Sequence, residues 1–181
     1  MRLLMSRINT PKQARSTELP RASGPRSPVP GPTVHVNYAL SRSGIPSPAS
    51  FHRWAAAALA GARHRRPAEL SIRIVGAREG RTLNRRYRGK DYATNVLSFP
   101  VDLPRGVESP LLGDIVVCAP VVAREAREQH KLARDHYAHL MVHGVLHLLG
   151  FDHQNRRDAE RMEKLEIAIL AGFGIADPYA T

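Results

Sequence analysis

Apolar and polar positions alternate at Val34, Val36 and Tyr38, and again at Leu70, Ile72 and Ile74, which is the two-residue period of half-buried strands. Between them Phe51, Trp54, Ala55, Ala58 and Leu59 recur at helical spacing, behind either Ser47-Pro48 or Ser50 as a capping residue. A short helix is predicted through Leu83 to about Tyr87, closed by Gly89. Residues 96–99 and 115–118 read as two further strands across a loop that contains Pro and Gly. Pro120 opens a helix at its first turn, where proline is tolerated, and two more helices are predicted over about 133–149 and 157–170. Strands and helices interleave early and helices dominate late. The pattern predicts a small α/β (α+β) domain, with one sheet of about four strands packed with about five helices.

The first 31 residues break this pattern. Pro11, Pro20, Pro25, Pro28 and Pro30 interrupt them, and Arg2, Arg7, Lys12, Arg15, Arg21 and Arg26 face only Glu18. So few apolar residues cannot offset the entropy of ordering, so residues 1–31 are expected to form a disordered basic tail and residues 32–181 one domain. The tail has no continuous apolar stretch of a secretory signal. Its Arg/Ser-rich, acid-poor composition is similar to an organellar transit peptide, but the prolines argue against an amphipathic helix.

The chain has 181 residues, 43% of them hydrophobic, a size that suits one domain with a substantial core. No apolar run approaches the ~20 residues of a membrane span, so no membrane partner is expected. The lone Cys118 excludes an intramolecular disulfide and a cysteine-based zinc ribbon, and a reducing, cytoplasmic setting is expected. The net charge of +11 suits a polyanionic partner without identifying one.

Candidate chemistry concentrates in His143-Gly-Val-Leu-His147-Leu-Leu-Gly150-Phe-Asp-His153. His143 and His147 stand four apart, so on a helix they share a face one turn apart. Gly150 can adopt the left-handed conformation that ends the helix, and His153 can return as a third nitrogen ligand. Three imidazoles leave one tetrahedral position open, as in a catalytic zinc site. The alternative is chance clustering in a chain with nine histidines, but spacing, glycine and returning histidine agree with one another. His136 and His139 extend the stripe upstream as outer groups or, more simply, as partly solvated residues. Asp152 can orient an imidazole or face water. The spacing matches a zinc-protease pattern, yet Gly144 stands where that pattern carries its general-base Glu.

A second segment, LNRRYRGKDYATNVLSFP from Leu83 to Pro100, places Arg85, Arg86, Arg88 and Lys90 at a helix end. Such cations complement the helix dipole, and with Asn84, Tyr87, Thr94 and Asn95 interleaved they also suit phosphate and ribose contacts. HGVLHLLGFDH and this basic segment, supported by LLGDIVV at 111–117 and DPY at 177–179, together resemble the YbeY family of metal-dependent endoribonucleases. The resemblance covers residues 33–179. It implies an α/β sandwich with a small mixed sheet, one zinc ion per chain held by His143, His147 and His153, and Arg88 as the catalytic arginine facing the metal. It further implies cleavage of single-stranded ribosomal RNA precursor, including maturation of the 16S rRNA 3′ end, ribosome quality control, and the ribosome or its proteins as partners. Arg85, Arg86 and Lys90 are candidate RNA contacts. A metalloprotease-like zinc hydrolase and a ribosome-assembly factor with structural zinc are the rival expectations.

Overall fold

Each predicted strand and helix forms, and the computed structural model describes residues 31–104, 106–151 and 155–180. Residues 1–30 of the expected tail, and His153 with Asp152, lie outside the described residues. The order is β1 (Thr33–Tyr38), α1 (Pro48–Gly61), β2 (Glu69–Val75), α2 (Ala77–Arg88), β3 (Val96–Pro100), β4 (Leu111–Cys118), α3 (Ala119–Glu128), α4 (Ala133–Leu148) and α5 (Arg156–Ala171). Of the two caps considered for α1, Ser47 holds the position and Pro48 follows in the first turn.

The strands form one mixed sheet in the order β1-β2-β4-β3. β1, β2 and β4 run parallel, while β3 lies antiparallel on β4. Successive side chains point to opposite faces, so Leu70, Ile72, Ile74, Ile115 and Val117 meet the main helical layer. There they pack with Phe51, Trp54, Tyr137, Met141 and Leu170, and each such buried side chain contributes roughly 1.5–3 kcal/mol. Phe51 sits edge-on to both Trp54 and Tyr137, at ring-centroid distances of 5.5 and 6.1 Å. The other face carries Val75, Leu97, Val116 and Cys118, packed with Val121 and with Leu83 of α2.

β4 begins at Leu111, four residues before the predicted start, because Gly113 interrupts its alternation. The register slips there, so that Leu70 pairs with Gly113 while the preceding Glu69 pairs with Leu111. Gly113 has φ +138°, and a Cβ there would lie 2.1 Å from the carbonyl oxygen of Phe99. Gly113→Ala is therefore expected to destabilise the protein by about 3 kcal/mol, measured as a lowered denaturant midpoint at unchanged m-value.

α4 crosses the middle of the helical layer and is buried on most sides. Gly144 lets it approach the sheet: a Cβ there would lie 3.0 Å from Ile115 Cδ1 and 3.3 Å from Ser98 Oγ. A Glu at this position, the base a zinc protease of the matching pattern would need, would run into the fully buried Ile115.

Candidate metal centre and cleft

His136, His139, His143 and His147 recur along one side of α4 because their spacings of three and four match the helical turn. The rings of His143 and His147 lie 4.5 Å apart, with their Nε2 atoms 3.1 Å from each other. Two nitrogens bound to one tetrahedral zinc are separated by roughly 3.3 Å, so this pair already has the spacing of two ligands. The helix ends just beyond. Gly150 takes φ +84°, and the amides of Gly150 and Phe151 return to the carbonyls of His147 and Leu146.

The residue that organises the histidines comes from α5. Glu166 is fully buried, and its Oε1 lies 2.8 Å from His143 Nδ1. Its Oε2 lies 3.0 Å from His139 Nε2 and accepts a hydrogen bond from the Tyr179 hydroxyl. Burial pushes the Glu166 carboxyl up, but the hydrogen bonds from His139, His143 and Tyr179 outweigh it and hold the pKa at about 2. Glu166 is thus an ionised acceptor, so the proton of a neutral His143 resides on Nδ1 and the Nε2 lone pair points toward His147. Burial, then the hydrogen bond to Glu166, raises the Tyr179 phenol and keeps it a donor. Lys131 fixes the segment carrying Tyr179 by donating to the Pro178 carbonyl at 2.7 Å.

His139, His143 and Glu166 offer donor atoms within 4.8 Å of one another and could hold a metal ion. Two nitrogen positions of His143 are therefore in play. Nδ1 faces the buried carboxylate, while Nε2 faces His147 on the side of the cleft. Hydrogen bonding already satisfies the buried side.

The cleft itself has a volume of about 520 Å³ and is walled by α4 and by the segment joining α2 to β3. His143 and His147 of α4 line it together with Arg88, Thr94 and Asn95. Among the described residues Arg88 has no ion-pair partner. Asn95 is held from behind, donating to Glu125 Oε2 at 3.0 Å, and Glu125 in turn contacts His136 Nε2 at 2.8 Å. His136 is buried rather than partly solvated, and burial lowers its pKa despite the Glu125 contact. His139 is partly exposed, as expected, and also contacts Glu166.

The remaining basic residues separate from Arg88. Arg85 lies 4.0 Å from Asp91, Arg86 stands over the Tyr87 ring at 5.4 Å, and Lys90 is exposed; none of the three lines the cleft. Their place in or just beyond the last turn of α2 fits dipole complementation. Asn84, a candidate RNA contact by sequence, is instead buried and donates to the Tyr92 carbonyl at 2.7 Å, holding the loop after α2.

Glu166 is absent from the sequence expectations, although one signal marks it. It sits four residues after Met162 and four before Leu170, on the apolar stripe of α5, where an unpartnered carboxylate would be costly.

Comparison with known proteins connects this geometry to a family. Residues 44–174 match the family model described as Endoribonuclease YbeY. A protein named Endoribonuclease YbeY from Stenotrophomonas maltophilia (strain R551-3) is 64% identical over 151 residues, covering 81% of this chain and 92% of the relative. One of the same name from Xanthomonas euvesicatoria pv. vesicatoria is 61% identical over the same shares. The solution structure of a Thermotoga maritima protein shares the fold, with a TM-score of 0.52 and 21% identity, covering 82% of this chain and all of that one.

Proposed function

Because the chain belongs to the YbeY endoribonuclease family, we propose that it is a zinc-dependent endonuclease of single-stranded RNA. We further assign it to ribosomal RNA processing in the cytoplasm, including maturation of the 16S rRNA 3′ end and late ribosome quality control. The observation that carries the chemistry is that Arg88, His143 and His147 line one cleft. The ion would be held on the cleft side by His143 Nε2, His147 Nε2 and His153, with Glu166 fixing the tautomer of His143 from behind. When bound, zinc supplies Lewis-acid activation of the scissile phosphate and of the nucleophile.

The protein's own side chains supply the rest. Arg88 presents a planar fork that can pair with two phosphoryl oxygens, neutralising charge as it develops. Thr94 and Asn95 line the same cleft and offer neutral hydrogen bonds to ribose or phosphate. Phosphoryl transfer depends mainly on positioning and charge neutralisation, so a site with Gly144 in place of a carboxylate base remains suited to it. The family membership and the crowding of Gly144 against Ile115 favour RNA over a peptide substrate.

The test is cleavage of a single-stranded RNA carrying the 16S 3′ precursor end, by zinc-loaded protein and by protein stripped with a chelator. Cleavage is expected only with metal, with the duplex form and an unfolded protein substrate spared; protein cleavage without RNA cleavage would overturn the proposal. Arg88→Ala is expected to lower kcat about 100- to 1000-fold with metal content unchanged, and Arg88→Lys to recover only part of the loss. Product-end analysis separates attack by water from attack by the RNA 2′-hydroxyl.

A further inference from the structure

Consecutive residues of α2 and β3 face two different cavities. Arg88 lines the cleft, whereas Tyr87 lines a groove of about 910 Å³ on the opposite face of the sheet. Ser98 and Pro100 of β3 line the cleft, and Phe99 between them lines the groove, as strand alternation requires. The two cavities therefore share one ridge, made by the end of α2 and by β3. On that ridge Tyr87 is 55% exposed and so open to a ligand. Its ring meets Phe99 at 4.9 Å with the planes inclined at 67°, and the Arg86 guanidinium lies 5.4 Å from its centroid.

We propose that single-stranded RNA leaving the cleft crosses this ridge, stacks a base on Tyr87, and continues into the groove on the open face of the sheet. The proposal rests on the reading of the cleft as an RNA-cleaving site and adds a path for the flanking nucleotides. An exposed aromatic ring beside an arginine is the pairing that holds unstacked bases and their phosphates. Arg85, Arg86 and Lys90, which do not line the cleft, then acquire a use at the crossing, where the phosphates pass. Groove polarity suits base edges more than phosphates. His35, Asn37 and Ser71 offer donors and acceptors, and Glu79 is neutralised by Arg73 at 2.7 Å. Asp114 on β4 adds an acceptor that a base N–H can meet, and it would repel a phosphate. The continuity with the cleft, and the pairing of Arg86 with the Tyr87 ring on the ridge, favour an RNA strand over a second protein.

The alternative role for Tyr87 is simply to cover Phe99, and leucine does that without a stacking face. Affinity of the zinc-loaded protein is measured for a long nuclease-resistant single-stranded RNA analogue and for a trinucleotide, with cleavage of the unprotected long strand scored in parallel. The preference of the wild type for the long strand is expected to shrink about tenfold in Tyr87→Leu and to persist in Tyr87→Phe. Leu132→Ala, at an exposed residue away from both cavities, serves as the control. An undiminished preference in Tyr87→Leu overturns the strand path. Binding that depends on Tyr87 but is never followed by cleavage overturns the endoribonuclease reading and keeps the path. Cleavage that is indifferent to Tyr87 does the reverse, and absence of RNA binding overturns both.

Discussion

His147→Ala is expected to lose its bound metal and to lower RNA cleavage by at least about a thousandfold, while the protein stays folded. The magnitude corresponds to about 4 kcal/mol of transition-state stabilisation, a reasonable share of what a metal supplies to phosphate chemistry. His147 is the cleaner of the two α4 ligands to remove. It is only partly buried at the cleft wall, so truncation leaves no sealed cavity. His143, by contrast, also partners the buried carboxylate of Glu166, so His143→Ala mixes loss of metal with loss of stability. Metal analysis of the purified variant, its thermal melt and its cleavage rate together check the expectation. A His147→Ala protein that retained full metal content and full activity would remove the cleft-side site altogether.

The second large effect belongs to Glu166. Glu166→Gln keeps the volume and an oxygen acceptor for His143 but discards the charge, and is expected to weaken zinc binding about 10- to 100-fold in a competitive chelator titration. The fold should survive in this variant. Glu166→Ala should not be so benign, because His139, His143 and Tyr179 lose their shared acceptor inside the protein. A cost of about 3–5 kcal/mol is expected from breaking such a buried charged network, read as a lowered denaturation midpoint. The pair of measurements also decides where the ion sits. If Glu166→Gln abolished binding while His147→Ala retained it, the ion would belong to the cluster of His139, His143 and Glu166 rather than to the cleft side.

Much of the architecture was legible because its causes are local. The alternation at Leu70, Ile72 and Ile74 and the stop at Gly150 depend on residues a few positions apart, and both appear where the pattern places them. Expectations failed where a distant partner intervened. His136 was expected as an outer group or a partly solvated residue of α4, yet it is buried, and Glu125 of α3 offers a contact that makes that burial tolerable. Asn84 looked available to RNA from its basic neighbourhood, but the Tyr92 carbonyl eight residues away claims its amide. Spacing alone did not distinguish the four cations at the end of α2; the family resemblance singled out Arg88, and the turn of the helix leaves Arg88 alone of the four lining the cleft.

By itself, the sequence determined the element order, the facing of His143 and His147, and the missing carboxylate at Gly144, together with the motifs that mark the family. Each follows from spacing along one helix or strand, where the 3.6- and two-residue periods set which side chains are neighbours. Only the tertiary structure decided that Glu166, 23 positions beyond His143, closes behind the imidazole, and that Tyr179 joins it. It also placed Arg88, alone of the four cations at the end of α2, in the cleft with His143 and His147, and turned Tyr87 and Phe99 to the opposite face of the sheet. These relations arise from packing between elements, where burial selects one partner among many and no short-range period records the choice.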